Sequence, residues 1–271
     1  MKVLWIQDFN TKQHKGGAQQ TNEVMIQVGL KKGHEINVIT YEDKLPDNKE
    51  YDVTIVNNMT KFAYSDIEHL KRNKCVRYEH DYWLADNYKD SFKGYKHSIF
   101  LSPLHYETTV KKVGYNIEDY SILPSPIDSK LFNTKDRDPI KNTVAVVGNM
   151  CELKGLNEFM VYLESNPSTV FNIVGWGETE ALKKYPNVKI YEQMSLKNIA
   201  RFYKRNESFY HRPLWNEPFG RTVVEAYLCG CNLICNSNVG ALSYGWDFND
   251  YDKIKREVNT SNKFWKIIEN V

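Results

Sequence analysis

Short apolar runs alternate with amphipathic stretches of helical length from the first residues onward, and the alternation breaks once, over residues 122–142. Apolar runs of strand length joined by helices long enough to cross back over a sheet give parallel pairing, with helices on both faces. Val3–Gln7 is expected to be a buried strand, followed by a loop to Gly16-Gly17. A helix then runs to about Lys32 and stops at Gly33, and "INVIT" is the next strand. Val53–Asn57, "CVRY" and "SIFLS" continue the series. Ser65-Asp66-Ile67-Glu68 has capping-box spacing, and Ser102-Pro103 opens a helix that ends near Gly114. In "ILPSPIDSKLFNTKDRDPIKN" three prolines and a charged run predict a linker. The rhythm then restarts with "TVAVVG", a helix over Leu156–Glu164, "VFNIVG", "VKIY", a helix after Ser195, "SFYH", a helix in "GRTVVEAYLC" closed by Gly230, and "LIC". The expected fold is α/β, with two Rossmann-like halves facing across a cleft: residues 1–124, a linker at 125–142, and residues 143–271.

Charge narrows the partners. Residues before Pro124 carry 17 Lys/Arg and 17 Asp/Glu, and the whole chain of 271 residues has a formal charge of +2. No half is a polybasic body, which argues against duplex nucleic acid or an anionic membrane as an electrostatic partner. The start "MKVLWIQDF" is too short an apolar run for a signal peptide, and no stretch has the length of a membrane span. The five cysteines form no CxxC pair and no metal spacing with histidine, so buried thiols in a reducing cytoplasm are expected.

Ligands of open parallel sheets sit beyond the carboxyl ends of the strands, where the next helices begin. Four loops occupy that position. Gly16-Gly17 lets backbone amides approach an anion at a helix start, or it is a flexible turn. It is not GxGxxG, which argues against a dinucleotide enzyme. His80 in "YEHDYW" suits donation to a sugar hydroxyl or proton transfer, or it is a histidine satisfied at a strand end. Lys154 in "VGNMCELKG" suits phosphate charge, or it is an exposed lysine. The fourth loop is "NEPFGRTVVEAYLCG". Here Arg221, Thr222 and Glu225 share the helix side opposite Val223, Val224, Tyr227 and Leu228, which allows a surface Arg–Glu pair. Glu217 precedes a proline and therefore lies in the loop before the helix. Phe219-Gly220 opens the helix start, and Glu225 lies about 7 Å down the axis from Gly220 at ~1.5 Å per residue. Loop carboxylate, helix start and inner carboxylate could contact a sugar, its diphosphate and a ribose in that order.

These residues resemble the GT-B glycosyltransferases, and within them the retaining family 4 type (glycosyl transferases group 1). Glu217 and Glu225 stand at the spacing of that family's E-x7-E signature. "KGGAQQTNEVMIQVGLKKGHEINVIT" looks like its opening Gly-Gly helix and the strand after it, and "SPIDSKLF" like its turn between domains. "VVGNMCELKG" is similar to its Gly-Arg-x4-Lys-Gly loop and "FNIVGWGE" to its Gly-x-Gly strand end. The resemblance implies GT-B architecture and metal-independent transfer of a sugar from a nucleotide-diphosphate donor, UDP- or GDP-linked, with retention of configuration. It needs no cofactor and no metal ligands. It makes Glu217, Lys154 and His80 the catalytic set. Donor binding falls to Gly16, Gly17, Asn149, Gly175, Phe219, Gly220, Arg221, Thr222 and Glu225. In that scheme Lys154 neutralises the departing diphosphate together with amides of Phe219–Thr222. Glu217 contacts the donor sugar and Glu225 the ribose hydroxyls, His80 binds the sugar, and Gly16-Gly17 border the diphosphate and acceptor.

Two departures stand out. Asn149 replaces the family's loop arginine, which keeps open a sugar-nucleotide-binding protein without turnover. A sugar-nucleotide epimerase is a further GT-B alternative. The chain is also short: after "SNVGALSYGWDF" the expected remainder is a single segment, "NKFWKIIENV", whose helix could cross back to the first half through Phe264-Trp265. The acceptor (a glycan, a lipid-linked sugar, a protein or a small molecule, with nucleic acid less favoured) would lie near Lys12–Lys15 and Tyr82–Trp83. The base would lie near Gly175–Gly177 and Tyr191. A cytoplasmic protein is expected, with attachment at a membrane surface left open.

Overall fold

The computed structural model describes residues 1–12, 14, 16–71 and 73–271, with the backbone alone for Tyr64. It divides into two compact units, Met1–Pro126 with Val258–Val271, and Ile127–Glu257.

The first unit is built on β1 (Lys2–Ile6), α1 (Gly17–Lys31), β2 (Glu35–Ile39), β3 (Val53–Val56), α2 (Tyr64–Leu70), β4 (Cys75–Tyr78), α3 (Trp83–Asn87), β5 (His97–Phe100), α4 (Pro103–Val113) and β6 (Tyr120–Ile122). The strands form one sheet in the order β2-β1-β3-β4-β5-β6, parallel throughout. Its central strands are covered on both faces, so Val3–Ile6 and Val76 are wholly buried. Arg77 is buried in the same strand layer. It is tolerated because Nε donates to Glu79 Oε2 and Nη1 to the Asn57 carbonyl, each at 2.5 Å. Ser102 caps α4 by accepting from the His105 amide at 3.0 Å, and Gly114 ends it with φ 80°. The capping box expected at Ser65 is displaced. Ala63 is the cap, the Asp66 carboxylate accepts from its amide at 3.3 Å, and Ser65 lies inside the helix.

The second unit contains β7 (Ile140–Met150), α5 (Leu156–Glu164), β8 (Val170–Gly177), β9 (Val188–Tyr191), α6 (Leu196–Lys204), β10 (Asn206–His211), α7 (Arg221–Leu228), β11 (Asn232–Cys235) and α8 (Tyr251–Glu257). Its sheet has the order β11-β10-β7-β8-β9, again parallel. Phe159, Phe171, Ile173 and Tyr210 pack in its core. Burial pushes the Cys229 and Cys231 thiols up to about 12, so they are packing groups rather than nucleophiles.

The end of the chain differs from the single segment expected. Two helices follow Asp247, α8 and then α9 (Ser261–Glu269). α9 packs on α1 within the first unit. Trp265 Nε1 donates to the Met25 carbonyl at 2.8 Å, and a Cβ on Gly29 would lie 2.1 Å from the Trp265 ring, so the small residue makes room for the indole.

Candidate functional site

In the second unit the site begins where β7 ends. One tight turn, Glu152–Lys154, leads to Gly155, whose φ is 81° and whose Cβ, if present, would stand 2.1 Å from the Arg212 carbonyl oxygen. Both the torsion and the close approach require glycine. The Leu214 amide donates to the Leu153 carbonyl at 3.0 Å, fastening this turn to the loop after β10. Lys154 is thereby delivered to Glu217: Nζ donates to Oε1 at 2.5 Å and lies 5.1 Å from the centre of the Trp215 ring. The second carboxylate oxygen, Oε2, is taken by His211 Nε2 from the end of β10. The backbone is held as well. The Glu217 amide donates to Asn238 O at 2.7 Å, and its carbonyl accepts from the Gly240 amide at 2.9 Å. Burial alone would raise the Glu217 pKa, but the charge and hydrogen bonds of His211 and then Lys154 outweigh it and hold the carboxyl at about 2. Glu217 is therefore an anion and a hydrogen-bond acceptor at neutral pH, not a proton donor.

The chain turns from Glu217 into α7 through buried Phe219, whose carbonyl accepts from the Ala241 amide at 2.7 Å, and Gly220, with φ 84° and no room for a Cβ 2.7 Å from Val239 Cγ1. α7 thus begins directly after the Glu217 loop with Arg221 and Thr222, and from Val223, whose amide donates to the Gly220 carbonyl at 3.0 Å, its amides are bonded within the turn. The Arg221–Glu225 pair exists, with Nη2 donating to Oε1 at 3.3 Å, but it is not the exposed pair that helical spacing allows: Glu225 is 4% exposed. Burial raises its pKa and Arg221 opposes the rise.

Asn149 and Gly175 meet across β7 and β8, where Gly148 aligns with Gly175 and Asn149 with Trp176. A Cβ on Gly175 would lie 2.6 Å from the Gly148 carbonyl, and one on Gly177 would lie 2.4 Å from Asn149 Oδ1, so these glycines let the two strand ends close up. Tyr191 turns elsewhere: its hydroxyl donates to Asn172 Oδ1 at 3.2 Å.

In the first unit Gly16 caps α1 and Gly17 is its first residue. Gly16 has an ordinary extended backbone, yet a Cβ there would meet Gln19 Oε1 at 2.4 Å. Gln13 and Lys15, within the stretch expected near the acceptor, lie outside the described residues. His80 is buried after β4. Its Nε2 lies 3.1 Å from Asn22 Oδ1 and 3.3 Å from Asn57 Oδ1, and its ring lies against Tyr78. Asn22 donates in turn to Gln7 Oε1 at 2.8 Å, which also accepts from Trp5 Nε1 at 3.2 Å. Next to it, burial and then the charge of Glu79 push Asp81 up to about 6, although it accepts from the Trp83 amide at 2.8 Å. Tyr82 is a core residue, set edge-on to His105.

Sequence reasoning missed His211, Asn22, Asn57 and Asp81. All four lay in stretches already read for something else: Asp81 in "YEHDYW" for its histidine, Asn22 in the helix after Gly16-Gly17, and Asn57 and His211 at the ends of expected strands.

The same architecture recurs in solved proteins. HepE of Anabaena, in complex with UDP and glucose, superposes with a TM-score of 0.69 at 15% identity, with 100% of both chains covered. Sucrose-phosphate synthase of Thermosynechococcus elongatus gives 0.79 at 13% identity, covering 99% of this chain and 98% of that one. An alpha-glucosyltransferase in complex with UDP and a 13-mer DNA containing a central A:G mismatch gives 0.60 at 14% identity, covering 96% and 90%. Residues 128–245 match the family model of the glycosyl transferases group 1. The fold is that of the GT-B glycosyltransferases. A search of curated protein sequences gives no match. The matched segment contains Lys154, His211, Glu217 and Glu225, and together with the fold it supports a sugar transferase.

Proposed function

We propose that the chain moves a sugar from a UDP- or GDP-linked donor to an acceptor hydroxyl, with retention of anomeric configuration and without a metal ion. The observation that carries this reading is Glu217, held ionised between Lys154 and His211 at the turn that feeds α7. Breaking a glycosidic bond to a diphosphate leaves negative charge on the leaving group and positive character on the sugar, and fixed charges aimed at both are the largest catalytic lever. A lysine has three donors. Lys154 gives one to Glu217, and the other two can meet diphosphate oxygens beside the first-turn amides of α7. Glu217 faces the sugar as an acceptor and a negative charge. Glu225 accepts from the ribose hydroxyls, with Arg221 holding it. Asn149 offers an amide where the resemblance implies an arginine, so in this reading Lys154 bears most of the charge compensation. His80, Gly16 and Gly17 complete the donor and acceptor contacts in this reading, which for them rests on the resemblance. The even charge before Pro124 argues against a polyanionic acceptor. Among the described residues no helix is long and apolar enough to cross a membrane, and a cytoplasmic enzyme is the reading we adopt.

Thermal shift with UDP, GDP, ADP, CDP and their sugars selects the donor. At ~100 times Kd, binding adds about 2.7 kcal/mol of stability. Turnover with the selected donor, unchanged in both Lys154→Ala and Glu217→Gln, would sink the proposal. Asn149 favours one competing reading, a sugar-nucleotide-binding protein. Calorimetric binding of the selected donor without product across an acceptor panel would support it.

A further inference from the structure

A cavity of about 460 Å³, within the range of small-molecule sites, opens in the second unit away from the Glu217 site. It lies at the opposite end of the strands from Glu217: Asn206 lines it and begins β10, whereas His211 ends that strand, about 17 Å away at ~3.3 Å per residue. Its floor is polar and buried. Asn172 is 8% exposed and Asn206 2% exposed; Asn172 Nδ2 donates to Asn206 Oδ1 at 2.7 Å, and Asn206 Nδ2 to the Phe202 carbonyl at 2.8 Å. Each amide nitrogen carries a second hydrogen. The sides are apolar, formed by Phe202, Met194 and the ring of Tyr191. The rim is cationic: Lys189 from β9 and Arg201 and Arg205 from α6 and its end line the cavity, and none of the lining residues is acidic. Lys189 and Arg201 have no ion-pair partner among the described residues, and Arg205 reaches only exposed Asp138 at 3.6 Å.

Arginines near the carboxyl end of a helix complement its dipole. That explains neither Lys189, which stands on a strand, nor the buried amide floor beneath. Three cations around one opening exceed what a single carboxylate neutralises, and they match a phosphate dianion, which arginine grips in bidentate fashion. The apolar sides and the size call for a flat body attached to that phosphate. We infer that this cavity is a second binding site, for a phosphorylated small molecule with an aromatic ring system, of the size of a nucleoside monophosphate. The ligand ring packs against the apolar wall that Phe202 and Tyr191 form together, their own rings meeting edge to face with centroids 5.8 Å apart, and the phosphate meets Arg201, Arg205 and Lys189.

The test is a titration of the 15N-labelled full chain with AMP, with adenosine as the phosphate-free control, reading the Asn172 and Asn206 side-chain amides. AMP is expected to shift both amides, with adenosine at least tenfold weaker. The double variant Arg201→Glu/Arg205→Glu should weaken AMP at least tenfold, while Lys154→Ala leaves its affinity within twofold. Lys189→Ala should weaken AMP severalfold and serves as the informative variant if the double one melts early. The inference is overturned if AMP leaves both amides unmoved, if adenosine shifts them at equal concentration, or if Lys154→Ala abolishes the shift.

Discussion

Beside His80 Nε2 stand two side-chain amides, and beside the Glu217 carboxylate stand a lysine ammonium and a histidine ring. In the first unit Nε2 of His80 lies between the side-chain amides of Asn22 and Asn57, and the side-chain network runs on to Gln7 and Trp5, while the Arg77–Glu79 ion pair reaches Asn57 only at its main-chain carbonyl. In the second, both oxygens of one carboxylate are fixed by Lys154 and His211. Amides orient hydroxyl groups at little electrostatic cost, whereas paired ions in a buried setting hold a fixed charge that a reaction can use. In the proposed chemistry, charge handling therefore belongs to the second unit and the region of His80 contributes orientation.

The contrast can be broken most sharply at Lys154. Lys154→Ala should lower kcat/KM for transfer by ~10²–10³-fold, the loss typical of removing one charge-stabilising donor. A loss below tenfold in steady-state kinetics would move the leaving-group charge to another cation. Next in size is the acid response of Glu217. Its pKa is lowered on folding from 4.5 to about 2, so its contribution to stability is complete above pH 4.5 and is lost as pH falls toward 2. Urea unfolding at stepped pH should show up to about 3 kcal/mol lost over that window, and Glu217→Gln should lack this component. Gly155→Ala should cost about 1–3 kcal/mol from its left-handed torsion alone, and should reduce transfer as well, because the turn carrying Lys154 must move off the Arg212 carbonyl. The smallest effect belongs to the neutral network. His80→Ala should lower kcat/KM by about tenfold, near 1.4 kcal/mol, comparable to one neutral hydrogen bond. A loss as deep as that of Lys154→Ala would erase the distinction between the two regions.

Local signals were legible in the sequence. Leu156–Glu164 is the helix its pattern predicts, and Ser102, Ser195 and Gly114 act as the stops and starts their chemistry suggests. The spacing of Glu217 and Glu225 around a glycine turn also carried through into the loop and helix expected of it. What the sequence did not disclose depends on parts of the chain far apart in order. His211 is an unremarkable strand residue until the loop after it folds Glu217 back onto its ring, and Asn22 and Asn57 meet His80 from two other elements. Glu225 reads as surface by helical periodicity, but packing of α6 and α7 covers it. Periodicity measures one helix and not its neighbours. Ser65 matched a cap pattern that Ala63 and Asp66 satisfy two residues earlier, and α8 was hidden in a segment with only Ile254 as a fully buried apolar residue.

The most direct test is proton NMR of the reaction with the donor that thermal shift selects, following both nucleotide release and the anomeric signal of the product. The account predicts that nucleoside diphosphate is released as product forms, that the product keeps the donor's anomeric configuration, and that Glu217→Gln nearly abolishes both signals. An inverted product, or transfer at the wild-type rate in Glu217→Gln, would contradict it.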